Sequence, residues 1–395
     1  MAVLPAHLVA TPVLERLGGE ADGVVLGAGT TAAWVDLDGF VVAVTTREVP
    51  LLPNAVALAA GSGALERSGL AAGTPARVAP GRIDLGSLRI TWSPADPPAW
   101  DPTVPIPRHA DPKAVAGRGA ALRTAMGAVD SGPHPPSASA TLPLRGPKHP
   151  GAGYSDALDR EAQDPGAGHG DVLDPGGQQP GAGDVDVHSR EAPQPRAANG
   201  DPLDPTAQHP RTGNVAAHLP DPDLLDPGPA DLVGELVRMG LATAIDPEGA
   251  AGLTLLFRAV RERDPVPARA AARVLLGRGP GLTPEGDDLV AAVAGTLAVV
   301  GPVTGLDGAV RDTLLAALVP GPGRTTALSA TLLALASERR LAEPAGRLLD
   351  LGAGGEAAWP GALSRLERLG HGSGRAYAAG IAATASLLAA GAPVR

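Results

Sequence analysis

The spacing of apolar residues divides the chain into three stretches. Residues 1–95 carry short runs, Gly23–Gly27, Ala32–Leu37 and Phe40–Thr46, separated by Gly or Asp-Gly. Runs of that length between turn residues read as β-strands, and Asp38-Gly39 is a hairpin signal. Ala55–Ala60 and Ile83–Trp92 supply further strands, and Leu8–Leu17 reads as a short leading helix. A small β-rich domain, barrel or sandwich-like, is expected here. From Asp231 onward the apolar period lengthens to that of a helix and persists to the end. The predicted helices are Asp231–Met239, Pro247–Arg263, Pro267–Leu276, Pro284–Val300, Leu306–Leu318, Arg324–Arg339, Pro344–Leu351, Trp359–Leu369 and Gly374–Ala390, with Gly or Pro at nearly every junction. The fold class is therefore α+β, a β-rich N-terminal domain and an all-α domain over 230–395.

Between them, residues 96–229 lose apolar periodicity after a possible helix at Ala114–Val129. Pro, Gly, Asp, His and Gln dominate. The stretch beginning Asp171-Val-Leu-Asp-Pro resembles that beginning Asp201-Pro-Leu-Asp-Pro, and Asp156-Ala-Leu-Asp starts a looser third copy. Each copy shares a single leucine, too little to stack as a solenoid or to offset ordering entropy. A disordered, low-complexity insertion is expected. His109, His134, His149, His169, His188, His209 and His218 all fall in it. Their wide spacing suits drifting composition better than a metal tract.

Composition narrows the function classes. Four Trp, two Tyr and two Phe leave any core to Leu, Val and Ala. A net charge of -10 with no basic stripe argues against nucleic acid as partner. The absence of cysteine rules out disulfides, thiolate nucleophiles and Cys-bound metals, and fits a cytoplasmic protein. The first residues lack the basic region of a signal peptide. The longest apolar run, Ala376–Pro393, is alanine-rich and broken by glycine, so it reads as a packed terminal helix and not as a membrane span.

Candidate chemistry gathers in three Gly-rich loops, each opening a helix. The first runs Gly277-Arg-Gly-Pro-Gly-Leu-Thr-Pro-Glu-Gly-Asp-Asp288. Gly279 and Gly281 permit close ligand approach. Thr283-Pro284-Glu285 reads as N-cap, first helical position and first-turn acid. The helix N-terminus can hold an anion. Asp287 and Asp288 sit roughly 100° apart on a helix, so one can face a pocket while the other orients a loop. Capping accounts for much of this loop without any ligand, but not for Gly279-Pro280-Gly281 or the doubled aspartate. It is neither a Walker A loop nor a dinucleotide fingerprint. The second loop leads into Arg324-Thr325-Thr326-Ala-Leu-Ser329, where a guanidinium and three hydroxyls suit a carboxylate or phosphate; the alternative is a helix with a polar start. The third is Gly370-His371-Gly-Ser373-Gly-Arg, in which His371 suits an exposed acid/base. A triad of Ser373, His371 and Asp287 lacks a nucleophile elbow. If the three helix starts converge, they form one anion pocket with two acids and a histidine. No cofactor is called for. Mg²⁺ at the aspartate pair is the one admissible addition, and no further acidic cluster in the helical block completes its shell.

Gly279-Pro-Gly-Leu-Thr-Pro-Glu-Gly-Asp-Asp, Thr325-Thr-Ala-Leu-Ser and Gly370-His-Gly-Ser-Gly with Gly380 resemble, in order and spacing, a bacterial family known as a domain of unknown function. One branch is a subunit of oxamate carbamoyltransferase of the anaerobic allantoin pathway. The resemblance covers 231–395 well, 1–95 weakly and the insertion not at all. It implies a soluble cytoplasmic enzyme subunit that works with other subunits on carbamoyl phosphate, phosphate, oxamate or oxalurate. The reaction it implies is phosphorolysis of oxalurate, or the reverse. Glu285 departs from the small polar residue expected there. On this reading Gly279, Gly281, Thr283, Arg324, Thr325 and Thr326 form the anion cradle, with Ser329 and Ser373 beside it. His371 or Asp287 handles the proton, and Asp288 orients. A non-catalytic subunit binding small carboxylates or phosphates is the alternative.

Overall fold

The computed structural model describes residues 2–107, 111–129, 228–319, 321, 323–351, 355–370 and 372–391. Most of the expected insertion, its seven histidines and His371 lie outside these residues.

The N-terminal part is a closed eight-stranded barrel. Its strands are β1 (Ala2–Ala10), β2 (Ala21–Ala28), β3 (Ala32–Leu37), β4 (Phe40–Thr45), β5 (Ala55–Leu58), β6 (Pro75–Ala79), β7 (Arg82–Leu85) and β8 (Leu88–Thr91). The order around the sheet is β5-β4-β3-β2-β6-β7-β8-β1, and antiparallel pairing of β1 with β5 closes it. β1 with β8 and β4 with β5 are the parallel pairs. Closure leaves no unpaired edge in the ring. Outside the ring, a two-residue β9 (Ala99–Trp100) pairs parallel with Val9 and Ala10 at the end of β1. The β3–β4 hairpin turns at Asp38 and Gly39, with φ of 54° and 83°, the left-handed pair such a turn requires.

Alternate residues fill the barrel, among them Val25, Val35, Val42, Val44, Val56, Ile83 and Ile90. β4 is buried on both faces. Its inward Val42 and Val44 join the barrel core, while Ala43 packs outward with Leu52 and Ala55 against Ala342 and Leu369 of the helical part. The uninterrupted apolar run of β4 is the signature of that double burial. The Val41 amide also donates to Thr331 Oγ1 at 3.0 Å, and Arg340 grips Glu15 at 2.7 and 3.0 Å.

One expectation about this part is corrected and two details are added. The leading helix shrinks to α1 (Thr11–Arg16), because Ala2–Ala10 pairs as a strand. Ile83–Trp92 is two strands, folded back at Gly86 with φ of 55°. Pro75–Ala79 was not anticipated as a strand. The possible helix at Ala114–Val129 is α2 (Pro112–Val129). That helix packs on the C-terminal helix and anchors Arg123 to Glu235 at 3.0 Å.

The helical part comprises α3 (Pro229–Arg238), α4 (Ala242–Ile245), α5 (Pro247–Glu262), α6 (Pro265–Leu275), α7 (Glu285–Val300), α8 (Gly308–Leu318), α9 (Ala327–Ser337), α10 (Glu343–Leu349), α11 (Gly355–Glu367) and α12 (Ser373–Ala390). The short α4 was not anticipated. α7 is the axis: every residue from Gly286 to Val300 is buried, not one face only. Its stretch Glu285–Thr304 is long and apolar enough to cross a membrane by length and composition, yet 89% of it is buried inside the protein, as in a core helix. α12 and α9 flank α7. Gly380 lets α12 come close, since a Cβ there would lie 2.6 Å from that of Ala292.

Candidate functional site

The three Gly-rich loops meet. The hydroxyls of Thr283 and Ser373 lie 2.9 Å apart, joining the loop before α7 to the start of α12. Thr325 donates its hydroxyl to Asp287 Oδ2, joining the α9 loop to α7. Thr326 donates to the Leu282 carbonyl at 2.6 Å and accepts from the Ser329 amide at 3.1 Å as N-cap of α9. Beside this junction lies a cavity of about 480 Å³. Leu282, Thr283, Asp287, Asp288, Ser329, Ser373 and Tyr377 line it from the helical side; Thr31, Trp34, Glu48, Pro50 and Leu52 close it from the barrel.

The structure sorts the residues expected from sequence. Thr283, Asp287, Asp288, Ser329 and Ser373 line one cavity. Gly279, Gly281, Arg324, Thr325 and Thr326 do not line it. Gly279, with φ of 119°, presses against the Glu285 backbone, where a Cβ would approach the amide nitrogen to 2.9 Å. Gly281 faces open space, and Arg324 is exposed. Thr283 is not the N-cap: Pro284 holds that position, α7 begins at Glu285, and the Thr283 hydroxyl lies against that of Ser373. The α7 N-terminus is also less open to an anion than its sequence suggests. The Gly286 amide already donates to the Arg278 carbonyl at 3.0 Å, and those of Asp287 and Asp288 donate to the Pro284 carbonyl.

The acids divide their work. Glu285 turns away from the cavity and accepts from the amides of Thr243 at 2.7 Å and Ala242 at 3.2 Å, capping α4. Asp287 accepts from the Gly277 amide at 2.7 Å as well as from Thr325. Burial pushes its carboxyl above the ordinary carboxylate value, and those two donors pull back. Asp288 is pushed up to about 8, first by burial and then by the charges of Asp287 and Glu285, with the Ser373 hydroxyl opposing. Its Oδ2 has no hydrogen-bond partner. This upward shift favours the protonated carboxyl, a form whose O–H can donate. Both aspartates open onto one cavity despite their angular separation, because the cavity covers the end of α7 and not one side.

An Mg²⁺ ion fits poorly. Both Asp287 oxygens already accept from N–H and O–H donors, Gly277 at Oδ1 and Thr325 at Oδ2. Among the described residues no three His, Asp or Glu gather in metal-binding range.

Residues 275–385 match the family model for the oxamate carbamoyltransferase subunit AllH. The AllH span contains all three loops, both aspartates, Ser329, Ser373 and Tyr377, and it leaves out the barrel wall of the cavity. No curated protein and no solved structure matches the chain. Two cavity residues escaped sequence reasoning. Arg368, exposed on the turn after α11, lines the cavity where it meets solvent. Tyr377, one turn into α12, has its hydroxyl held in the protonated form by burial and by Asp288. A tyrosine one helical turn beyond Ser373 was a readable signal; a lone surface arginine was not.

Proposed function

We propose that this chain is a subunit of a cytoplasmic carbamoyltransferase akin to oxamate carbamoyltransferase, and that the cavity at the α7 N-terminus receives its small anionic substrate. The observation that carries this reading is the coincidence of the AllH match with the cavity wall: the matched span supplies the loops that gather around one buried carboxyl whose protonated form is favoured. In phosphorolysis of oxalurate a phosphate oxygen bonds to the ureido carbon, the bond from that carbon to the oxamate nitrogen breaks, and the phosphate proton ends on that nitrogen. Asp288, in its protonated form, would deliver a proton to the departing nitrogen and regain one from phosphate. Asp287, saturated by Gly277 and Thr325, would hold the loop geometry. This exchanges the roles expected for the pair from sequence. The other subunits implied by the AllH name would supply what the mostly aliphatic wall lacks, notably phosphate ligands.

The test is an assay of the complex recovered by tagging this chain in its native host, for phosphate-dependent cleavage of oxalurate with the carbamoyl phosphate trapped. Loss of turnover in Asp288→Ala with the complex intact supports the reading. Unchanged turnover removes catalysis from this cavity. The occupied amides of the α7 N-terminus favour one alternative, a ligand-binding subunit without chemistry of its own.

A further inference from the structure

The cavity runs on beyond its polar corner. Thr283, Asp288 and Ser373 line it near the first turn of α7. Tyr377 lines it too, and its hydroxyl lies over Gly295, where a Cβ would come within 3.6 Å of the oxygen. Gly295 sits about 10 Å along the α7 axis from Asp288. The Tyr377 hydroxyl makes no hydrogen bond among the described residues; only burial and the charge of Asp288 act on it. Other polar groups of the wall are engaged: Thr283 with Ser373, Asp287 with Gly277 and Thr325, Arg340 with Glu15. Much of the rest is apolar, with Leu328, Leu332 and Leu341 on the helical side and Trp34 and Leu52 on the barrel side. We propose that this end of the cavity binds a neutral molecule with an aromatic or branched aliphatic body and one carbonyl oxygen, the oxygen accepting from Tyr377 and the body lying between Trp34 and the leucines.

Three features set the match. A tyrosine hydroxyl away from bulk water usually finds a partner, and this one, kept in its protonated form, offers a donor. Water serves it poorly, because a bound water needs two or more polar partners and the leucines offer none. The volume decides the size of the ligand: a dry cavity of roughly 150 Å³ holds benzene, so the 480 Å³ here has room for a ring and a side chain. Charge decides the head group. A carboxylate at Tyr377 would lose its hydration against leucines and face the charge of Asp288, whereas a ketone or amide carbonyl accepts the same bond without that cost. The proposal goes beyond carbamoyl transfer and does not depend on it, since binding here and turnover of oxalurate are measured separately.

Calorimetric titration of the full chain with benzylacetone, butylbenzene and phenylbutyrate tests this. Each probe carries a phenyl ring on a short chain, and benzylacetone alone among them has a neutral carbonyl. Benzylacetone should bind saturably, butylbenzene about tenfold more weakly for want of the hydrogen bond, and phenylbutyrate more weakly still. Tyr377→Phe keeps the ring and removes the O–H, so it should weaken benzylacetone about tenfold and leave butylbenzene unchanged. Trp34→Ala, on the half-buried barrel wall, should weaken both neutral probes to the same extent. No saturable binding of benzylacetone, tighter binding of phenylbutyrate, or a Tyr377→Phe variant that treats the two neutral probes alike would overturn the proposal. Unchanged binding of both neutral probes in Trp34→Ala would also overturn it, by removing the barrel from the site.

Discussion

The hydroxyl of Thr283 meets that of Ser373 at 2.9 Å, across 90 residues of sequence. The contact ties the loop before α7 to the first residue of α12 at the cavity wall. Neither hydroxyl caps its own helix, so the bond acts between elements and should show as coupling. Thr283→Val and Ser373→Ala should each cost about 1 kcal/mol, and the double variant should cost less than their sum by about 0.5 kcal/mol or more. Thermal or denaturant unfolding of the four proteins measures this. Strict additivity would mean that the bond contributes nothing.

Glu285 appears from sequence to charge the pocket, and the structure assigns it to α4. Glu285→Ala should cost about 1–2 kcal/mol by leaving the Ala242 and Thr243 amides without their acceptor. Removing its charge should also lower the Asp288 value, since Glu285 helps to raise it. The titration of Asp288, followed by carboxyl NMR or by the pH profile of ligand binding, should then move to lower pH. An unmoved titration would show that the two acids do not sense each other.

The packing of α12 on α7 offers a size test. Gly380→Ala would set a methyl 2.6 Å from Ala292 Cβ, inside contact distance. Such overpacking should cost about 1–3 kcal/mol. Ala292→Gly opens the same space at a helix-propensity cost of about 1 kcal/mol. Combined, the two should be more stable than the sum of the singles predicts, by melting temperature. Gly380→Ala alone with wild-type stability would show that the helices shift apart freely.

How much of this was legible depends on which force set each feature. The β3–β4 hairpin was readable because Asp38-Gly39 encodes its own turn, and α7 because a long apolar helix announces burial. β6 was missed because Pro75-Ala-Arg-Val-Ala offers only two inward residues, Ala76 and Val78, and a strand that short is fixed by its neighbours β2 and β7. The three loops were readable as chemistry, but which residues face the cavity was not. Gly279 and Arg324 share the motif's vocabulary yet serve the backbone or point to solvent. Thr31, Trp34 and Glu48 enter the cavity only because the barrel docks there, a tertiary fact with no local signal. Helix boundaries shifted where a side chain found a distant partner, as Thr283 did.

Asp288 makes a prediction about stability and pH that needs no substrate. Its folded value is raised to about 8 from the ordinary 3.8, so the folded state binds a proton more readily than the unfolded chain. Its contribution is therefore fully present at low pH and is lost progressively as pH rises towards the folded value, beyond which the loss is complete. Asp287, also raised, has the same sign over a window whose upper limit is its own folded value. Asp288→Asn replaces the carboxyl with a neutral group of equal size, so it should abolish the Asp288 part of the slope. Between about pH 5.5 and about pH 9 the variant should gain on the order of 3 kcal/mol relative to wild type, the difference growing up to about pH 8 and levelling off above it. Melting temperatures of both proteins across that range check it. A variant that stays parallel to wild type at every pH would show that Asp288 is ionised in the folded protein, and with it the assignment of Asp288 as proton carrier would fall.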